Sequence, residues 1–389
     1  MSILKRINWT NTLFLTITPV VAIIATFFIV KNGNLHWATV LLAFVMTGLT
    51  GLSITAGYHR LFSHRTYKTI WPVRLLLLLF GAATFEGSVM EWSTDHRNHH
   101  RYTDTDKDPY NIKKGFWYAH IGWLFVLDTS KRDFSNVEDL AADRLVMLQH
   151  RFFVPIAIFM GFVFPMALGA LWGDAWGGLI IAGALRIVFN QQMTFCINSV
   201  CHVFGKRTYS NQQSARDNWI TALFTYGEGY HNFHHQFAVD YRNGIRFYDY
   251  DPAKWLIRTL AFFGWATDLK QVRKEQIIRY QLRSHENPNL THSHVISEYA
   301  RSFSAYIQRL RERILEVALQ IEQLEQDYQR LKKEKIQYLK GKMSEYRTHL
   351  YAQREHLKKA RRELKSTLTV WSNIVRHQNQ LGLVVESGR

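Results

Sequence analysis

Three histidines fall within five positions of GYHNFHHQF (229–237), and two other stretches repeat the theme. HNFHH carries His231, His234 and His235; HRNHH carries His96, His99 and His100; HRLFSH carries His59 and His64. The spacing H-x-x-H-H puts positions i, i+3 and i+4 on one face of a helix, so three imidazoles can converge. His59 and His64 are five apart and need a helix end or a bend to meet. His202, in NSVCH, is a further candidate. Eight or nine imidazoles exceed the four ligands that satisfy a zinc ion, whereas a dinuclear site uses four or five per metal. Imidazole suits Fe, Zn, Cu and Ni alike, so the ligand type does not choose the metal. A redox metal beside an apolar tunnel suits O2 chemistry on an alkyl chain. The nearby carboxylates Glu91, Asp95, Asp104, Asp106, Asp108 and Glu228 are candidate acceptors for the ring N–H groups that point away from a metal.

These clusters need elements to hold them, and the hydropathy supplies membrane helices. Four segments are long and apolar enough to span a bilayer, about 11–30, 37–56, 152–172 and 176–198. KNGNLH joins the first pair and GDA the second, so two helical hairpins are expected. Lys and Arg crowd the termini and the 57–151 segment, which predicts that both termini and the histidine clusters face the cytoplasm. Residues 70–90 are also apolar, but Pro72, Arg74 and Glu86 interrupt them. They are expected at the interface or buried, and not as a span; GFWYAHIGWLF (115–125) reads as another interfacial helix. With 70–90 not crossing, every histidine cluster lies on one face, in or near a cap built from 57–151 and 201–270.

The fold class expected is therefore an all-α integral membrane protein, four transmembrane helices in two hairpins with a cytosolic helical cap. Residues 1–270 form that domain, 271–297 a linker, and 298–380 a basic coiled coil or helical hairpin, followed by a tail, 381–389. Ile307, Leu310, Ile314, Val317, Ile321, Leu324, Tyr328 and Leu331 make an a/d seam that resumes at Ile336 and Leu339. Self-association through that seam is one expectation, and a solvated or lipid-bound charged face another; nucleic acid is not expected. Net charge is +17, which calls for an anionic partner. Two cysteines, Cys196 and Cys201, make neither a disulfide framework nor a CxxC pair. Lys5 and Arg6 precede an apolar run with no cleavage pattern, so a retained helix is expected.

GYHRLFSHRTYK, EWSTDHRNHHRYTDTDKDPYN, NSVCH and GEGYHNFHHQF, in this order over about residues 10–270, resemble the membrane fatty acyl desaturases of the stearoyl-CoA desaturase type. The resemblance implies two iron ions held by His59, His64, His96, His99, His100, His202, His231, His234 and His235, with Asn198 acting through a water. It implies O2 as co-substrate and a cis double bond placed in a saturated acyl chain, between the ninth and tenth carbons. Trp92 and Asp95 keep the family pattern as substrate contacts. Thr47 and Gln191, on the second and fourth spans, are candidates to line or close a tunnel. Thr94 stands where the animal enzymes commonly carry arginine. Their Arg-Lys pair after HIGW is replaced by LFVLDTSKRD, with Asp128 and a delayed Lys131-Arg132. Fatty acyl-CoA is the expected substrate, with an acyl group on phospholipid as the rival. A histidine-box di-iron hydroxylase is the neighbouring reading for the reaction. No haem, Rossmann or iron–sulfur motif is present, so electrons are expected from a separate ferredoxin, or a cytochrome with an NAD(P)H reductase. The setting expected is a bacterial inner membrane.

Overall fold

A computed structural model describes residues 7–126, 133–284, 298–334 and 343–380. Asp128, Lys131 and Arg132, the linker histidines His285, His292 and His294, the seam positions Ile336 and Leu339, and the tail lie outside the described residues. The chain divides into two units, Met1–Gln271 and Val272–Arg389.

The first unit is built on four helices long and apolar enough to cross a membrane: α1 (Trp9–Lys31), α2 (Trp37–Ser63), α5 (Phe153–Ala170) and α6 (Ala175–Val203). Between α2 and α5 lie α3 (Trp71–Ala82) and α4 (Val89–Tyr102). At 12 residues α3 is too short to span, which explains why the 70–90 stretch does not cross. The aromatic 115–125 stretch forms two short helices, Phe116–His120 and Gly122–Phe125. Helix α1 exposes Leu13, Ile17, Ile23 and Phe27 all along its length, as a helix solvated by lipid does.

Helices α2 and α6 run further than their apolar runs suggest. The last part of α2, Ser53–Ser63, is π-helical, and so is Gly178–Leu185 within α6. In the π form each N–H reaches back five residues, and His64 N donates to His59 O at 3.0 Å. The pair therefore meets across one i, i+5 backbone bond at the end of α2, the helix end expected from the sequence, in π form. A two-residue strand pair, Lys68–Thr69 with Ala266–Thr267, closes the cap by tying its start to its end.

The second unit contains α8 (Lys274–Ser284), α9 (Glu298–Glu334) and α10 (Met343–Gln380), so part of the stretch expected as linker is helical. Ile314, Val317 and Ile321 of the a/d seam are buried with Leu357, Ala360 and Leu364 of α10 and Ile278 of α8. Arg313–Glu363 (2.6 Å) and Arg361–Glu325 pair across the two long helices. The seam expected to join separate copies is filled within the chain at these positions.

Candidate metal centre and acyl cavity

Helix α4 begins with a capping box. Ser88 accepts from Glu91 N, and Glu91 accepts from Ser88 N at 3.0 Å. That fixes the first turn, and His96, His99 and His100 follow over the next two turns on the inward face. Helix α7 (His231–Gln236) presents His231, His234 and His235 in the same way. Asp217 accepts from the N–H groups of Asn232 and Phe233 at 2.9 and 3.0 Å and anchors its N-terminus.

All nine histidines meet. They form two groups, His59, His64, His96, His100 and His234, and then His99, His202, His231 and His235. Within each group the candidate donor atoms lie within 4.8 Å of one another. The rings face each other through Nε2: His64–His96 at 2.8 Å, His59–His234 at 2.9 Å, His100–His234 at 2.8 Å, His202–His231 at 3.1 Å and His231–His235 at 3.0 Å. Two nitrogens each about 2.1 Å from one ion, at right angles, would be about 3.0 Å apart. The spacing thus fits rings that share a metal.

Several outward nitrogens are tied down. His99 Nδ1 lies 2.8 Å from Asp108 Oδ1, and His59 Nδ1 lies 2.8 Å from Glu228 Oε2. At His99 the carboxylate fixes the proton on Nδ1 and leaves Nε2 its lone pair, whereas the His59–Glu228 approach is close but does not have hydrogen-bond geometry. His202 Nδ1 meets Ser214 Oγ at 2.6 Å, and Ser214 in turn donates to Asp104. His235 Nδ1 meets Gln213 Oε1 at 3.0 Å. His231 Nδ1 is buried without a hydrogen-bond partner on the rim of the cavity described below, a place for a water. Burial and the repulsion of neighbouring rings hold His64, His96, His100, His231, His234 and His235 well below the ordinary histidine range. Neutral rings are the form that binds a metal. Burial opposes the charge of Glu228, yet His59 and Arg60 hold its carboxyl below the usual range. Arg60 Nη2 lies 3.0 Å from Glu228 and 2.9 Å from Asp251, both buried.

A cavity of about 540 Å³ runs from His59, His96, His99 and His231 between the spans. That is ligand-sized. Trp92, Asp95, Gln191 and Asn198 line it, so three of the four expected contacts and the expected water-bridging asparagine reach the same space. Trp92 also stacks on His96 with ring centroids 4.8 Å apart. Thr47 departs from expectation. It is not among the lining residues, because its hydroxyl turns back to Ala43 O of its own helix at 2.7 Å. Its carbonyl instead receives the hydroxyl of Tyr226, which does line the cavity. Glu91, expected beside a ring, serves the capping box, and Asp106 is exposed.

The sequence reading missed Ser214, Gln213 and Glu86. The first two lie in a loop with no pattern of its own. Glu86 carried a signal, a lone acid in an apolar stretch. It lines the cavity, accepting from Thr194 Oγ1 at 3.0 Å and Trp92 Nε1 at 3.4 Å, and burial pushes it up to about 8.

The family model for fatty acid desaturases matches residues 35–268, which hold every one of these histidines. The chain belongs to the fatty acid desaturase family. This desaturase-family chain is 48% identical over 275 residues to a probable acyl-CoA desaturase of Schizosaccharomyces pombe, covering 70% of this chain and 57% of that protein. It is 41% identical over 277 residues to acyl-CoA desaturase 1 of Saccharomyces cerevisiae, covering 70% of this chain and 54% of that one. It is 36% identical over 279 residues to stearoyl-CoA desaturase 5 of Bos taurus, covering 70% and 82%. The chain thus spans little more than half the length of the two yeast relatives. These relatives are eukaryotic and give the expected bacterial setting no support.

Proposed function

We propose that the protein is an O2-dependent fatty acyl desaturase that places a cis double bond in a saturated acyl chain carried on coenzyme A. The observation that carries this reading is the pair of buried imidazole groups at one end of an apolar cavity. Yeast and animal relatives named for acyl-CoA and stearoyl-CoA desaturation support the carrier, and a relative named a Delta(9) desaturase supports a bond between the ninth and tenth carbons, against two named for Delta(11).

Each histidine group would hold one iron, with Asn198 reaching its ion through a water. When bound, such a pair supplies the reduction of O2 and the abstraction of hydrogen from unactivated carbon. The reaction balances as one –CH2–CH2– unit, one O2, two electrons and two protons giving one –CH=CH– unit and two waters. The protein's own part is placement. The cavity wall keeps water from the methylenes, Trp92 braces His96, and Glu228 and Asp108 hold ring orientation. A methylene chain has no polar handle, so position is set by cavity length and shape. The electrons come from a separate ferredoxin or cytochrome fed by an NAD(P)H reductase. We place the protein in the endoplasmic reticulum of a eukaryotic cell, with termini and site on the cytosolic side, in keeping with the eukaryotic relatives and the charge pattern.

The test is expression in cells lacking their own desaturases, with fatty acids profiled by gas chromatography and bonds localised. New monounsaturated chains that vanish in His234→Ala are expected. Hydroxylated chains would replace this reading with a hydroxylase, and new bonds confined to phospholipid-borne chains would replace the coenzyme A carrier.

A further inference from the structure

The second unit holds 23 Lys and Arg against 13 Asp and Glu, a net +10 of the chain's +17. That charge is not spread evenly. On α10, Arg347, Arg354, Lys358, Arg361, Arg362 and Lys365 are all exposed. At about 100° per residue they fall within about 100° of arc, flanked on one side by the buried Leu357, Ala360 and Leu364. From Arg347 to Lys365 the row is about 27 Å long at a rise of about 1.5 Å per residue. Glu355 and Glu363 fall outside the arc. Lys358 leans to Glu355 at 2.6 Å and Arg361 to Glu325, and among the described residues the other four have no carboxylate within ion-pair distance.

We propose that this face of α10 lies on the anionic surface of the bilayer that the spans cross. Two observations favour lipid over an acidic protein or a nucleic acid. The unit is covalently tethered to four membrane helices, and an even number of spans returns it to the side where the chain began. By the charge rule that is the cytosolic side, where acidic lipids concentrate. Beside the row, Lys274, Arg361 and Lys365 rim a groove of about 550 Å³ floored by Ile278, Leu364 and Leu368. Cations over an apolar floor match the two ends of a lipid. Each cation near such a surface favours contact roughly fivefold, so neutralising four weakens attachment roughly several hundredfold.

The test uses the full chain in lipid nanodiscs, with an environment-sensitive dye on Tyr351→Cys, an exposed position in the arc. Discs of phosphatidylcholine are compared with discs containing phosphatidylserine, with a nitroxide-headgroup lipid as quencher. Quenching is expected only with phosphatidylserine. It should fall at high salt and disappear when Arg354, Lys358, Arg362 and Lys365 are all changed to Glu. The same four changed to Gln control for folding and should lose most of the quenching with helix content intact. Equal quenching in both discs overturns the proposal. So does a dye that stays water-exposed in both, or one shielded only by an added acidic protein or RNA. The readout is independent of turnover, so it stands apart from the desaturase test.

Discussion

Asp108→Asn is the sharpest probe of the centre, because it changes one buried carboxylate by one atom. Asp108 accepts three bonds: His99 Nδ1 (2.8 Å) and Tyr110 N (3.3 Å) at Oδ1, and Asp104 N (3.1 Å) at Oδ2. Asparagine has one acceptor oxygen. If it keeps His99, its NH2 meets the Asp104 N–H, and two donors oppose each other; if it flips, His99 loses its acceptor. A buried donor left unsatisfied costs about 1–3 kcal/mol. Losing the partner of a metal-bound ring costs about 10–100-fold in metal affinity, or about 1.4–2.7 kcal/mol. Only the His99, His202, His231 and His235 group should suffer, since Asp108 touches no ring of the other group in the described contacts. The assay is a chelator titration of purified protein, followed by plasma emission spectrometry. The expected result is one metal equivalent released at about 10–100-fold less chelator, the other unmoved. Release of both together, or of neither, would refute the assignment of Asp108 to one ring and one group.

Glu228→Gln should do to the His59 group what Asp108→Asn does to the other, and also lower the melting temperature, because Arg60 keeps only Asp251 as a buried counter-charge. Gly51→Ala sets a Cβ about 2.1 Å from the Tyr226 ring, which lines the cavity; fatty-acid profiling should show a shift to shorter chains. Burial raises Glu86 to about 8 from 4.5, so the folded state holds its proton more tightly than the unfolded chain. Its stabilising effect is therefore complete below pH 4.5 and lost as pH rises toward 8, and denaturation of Glu86→Gln between those limits should show a shallower pH slope than the parent. Deleting residues 272–389 should leave metal content intact, as measured on the purified protein, since every ligand lies in the first unit.

How much of this could be read in the sequence depends on whether a contact is local. The pairs within HRNHH and HNFHH meet through one helical turn, so spacing alone announces them. His59 and His64 were legible as residues but not as geometry, because a π turn is not signalled by hydropathy. Ser214 and Gln213 were illegible. They reach His202 and His235 only because the 205–218 loop folds back, with Arg216 N bonded to Cys201 O at 2.7 Å and Asp217 paired with Lys206. Thr47 misled for the opposite reason. Its place on α2 is right for a tunnel wall, but a threonine inside a helix can turn its hydroxyl to the carbonyl four residues back, and this one does.

The proposed role as an acyl-chain gauge needs a cavity wall that does not yield, and the turn 83–87 in that wall has two residues at positive φ. Phe85 has φ +57°, and Gly87 has φ +94°. Helix α6 fastens it from outside. Arg186 donates to Ala83 O at 2.8 Å and to Gly161 O at 3.2 Å, Gln191 to Thr84 O at 3.0 Å, and Thr194 to Glu86 at 3.0 Å. Residues 186, 191 and 194 share one face of α6. Three polar side chains that an apolar span would otherwise leave costly are thus spent on three successive parts of one turn. Gly161 completes the brace, since a Cβ there would stand 2.6 Å from the Phe85 ring. Gln191 therefore shapes the cavity by holding backbone. Gln191→Leu, which removes the bond and keeps the bulk, should blur bond position among the products more than it slows their formation. A single sharp product from that variant would show that the wall is set elsewhere.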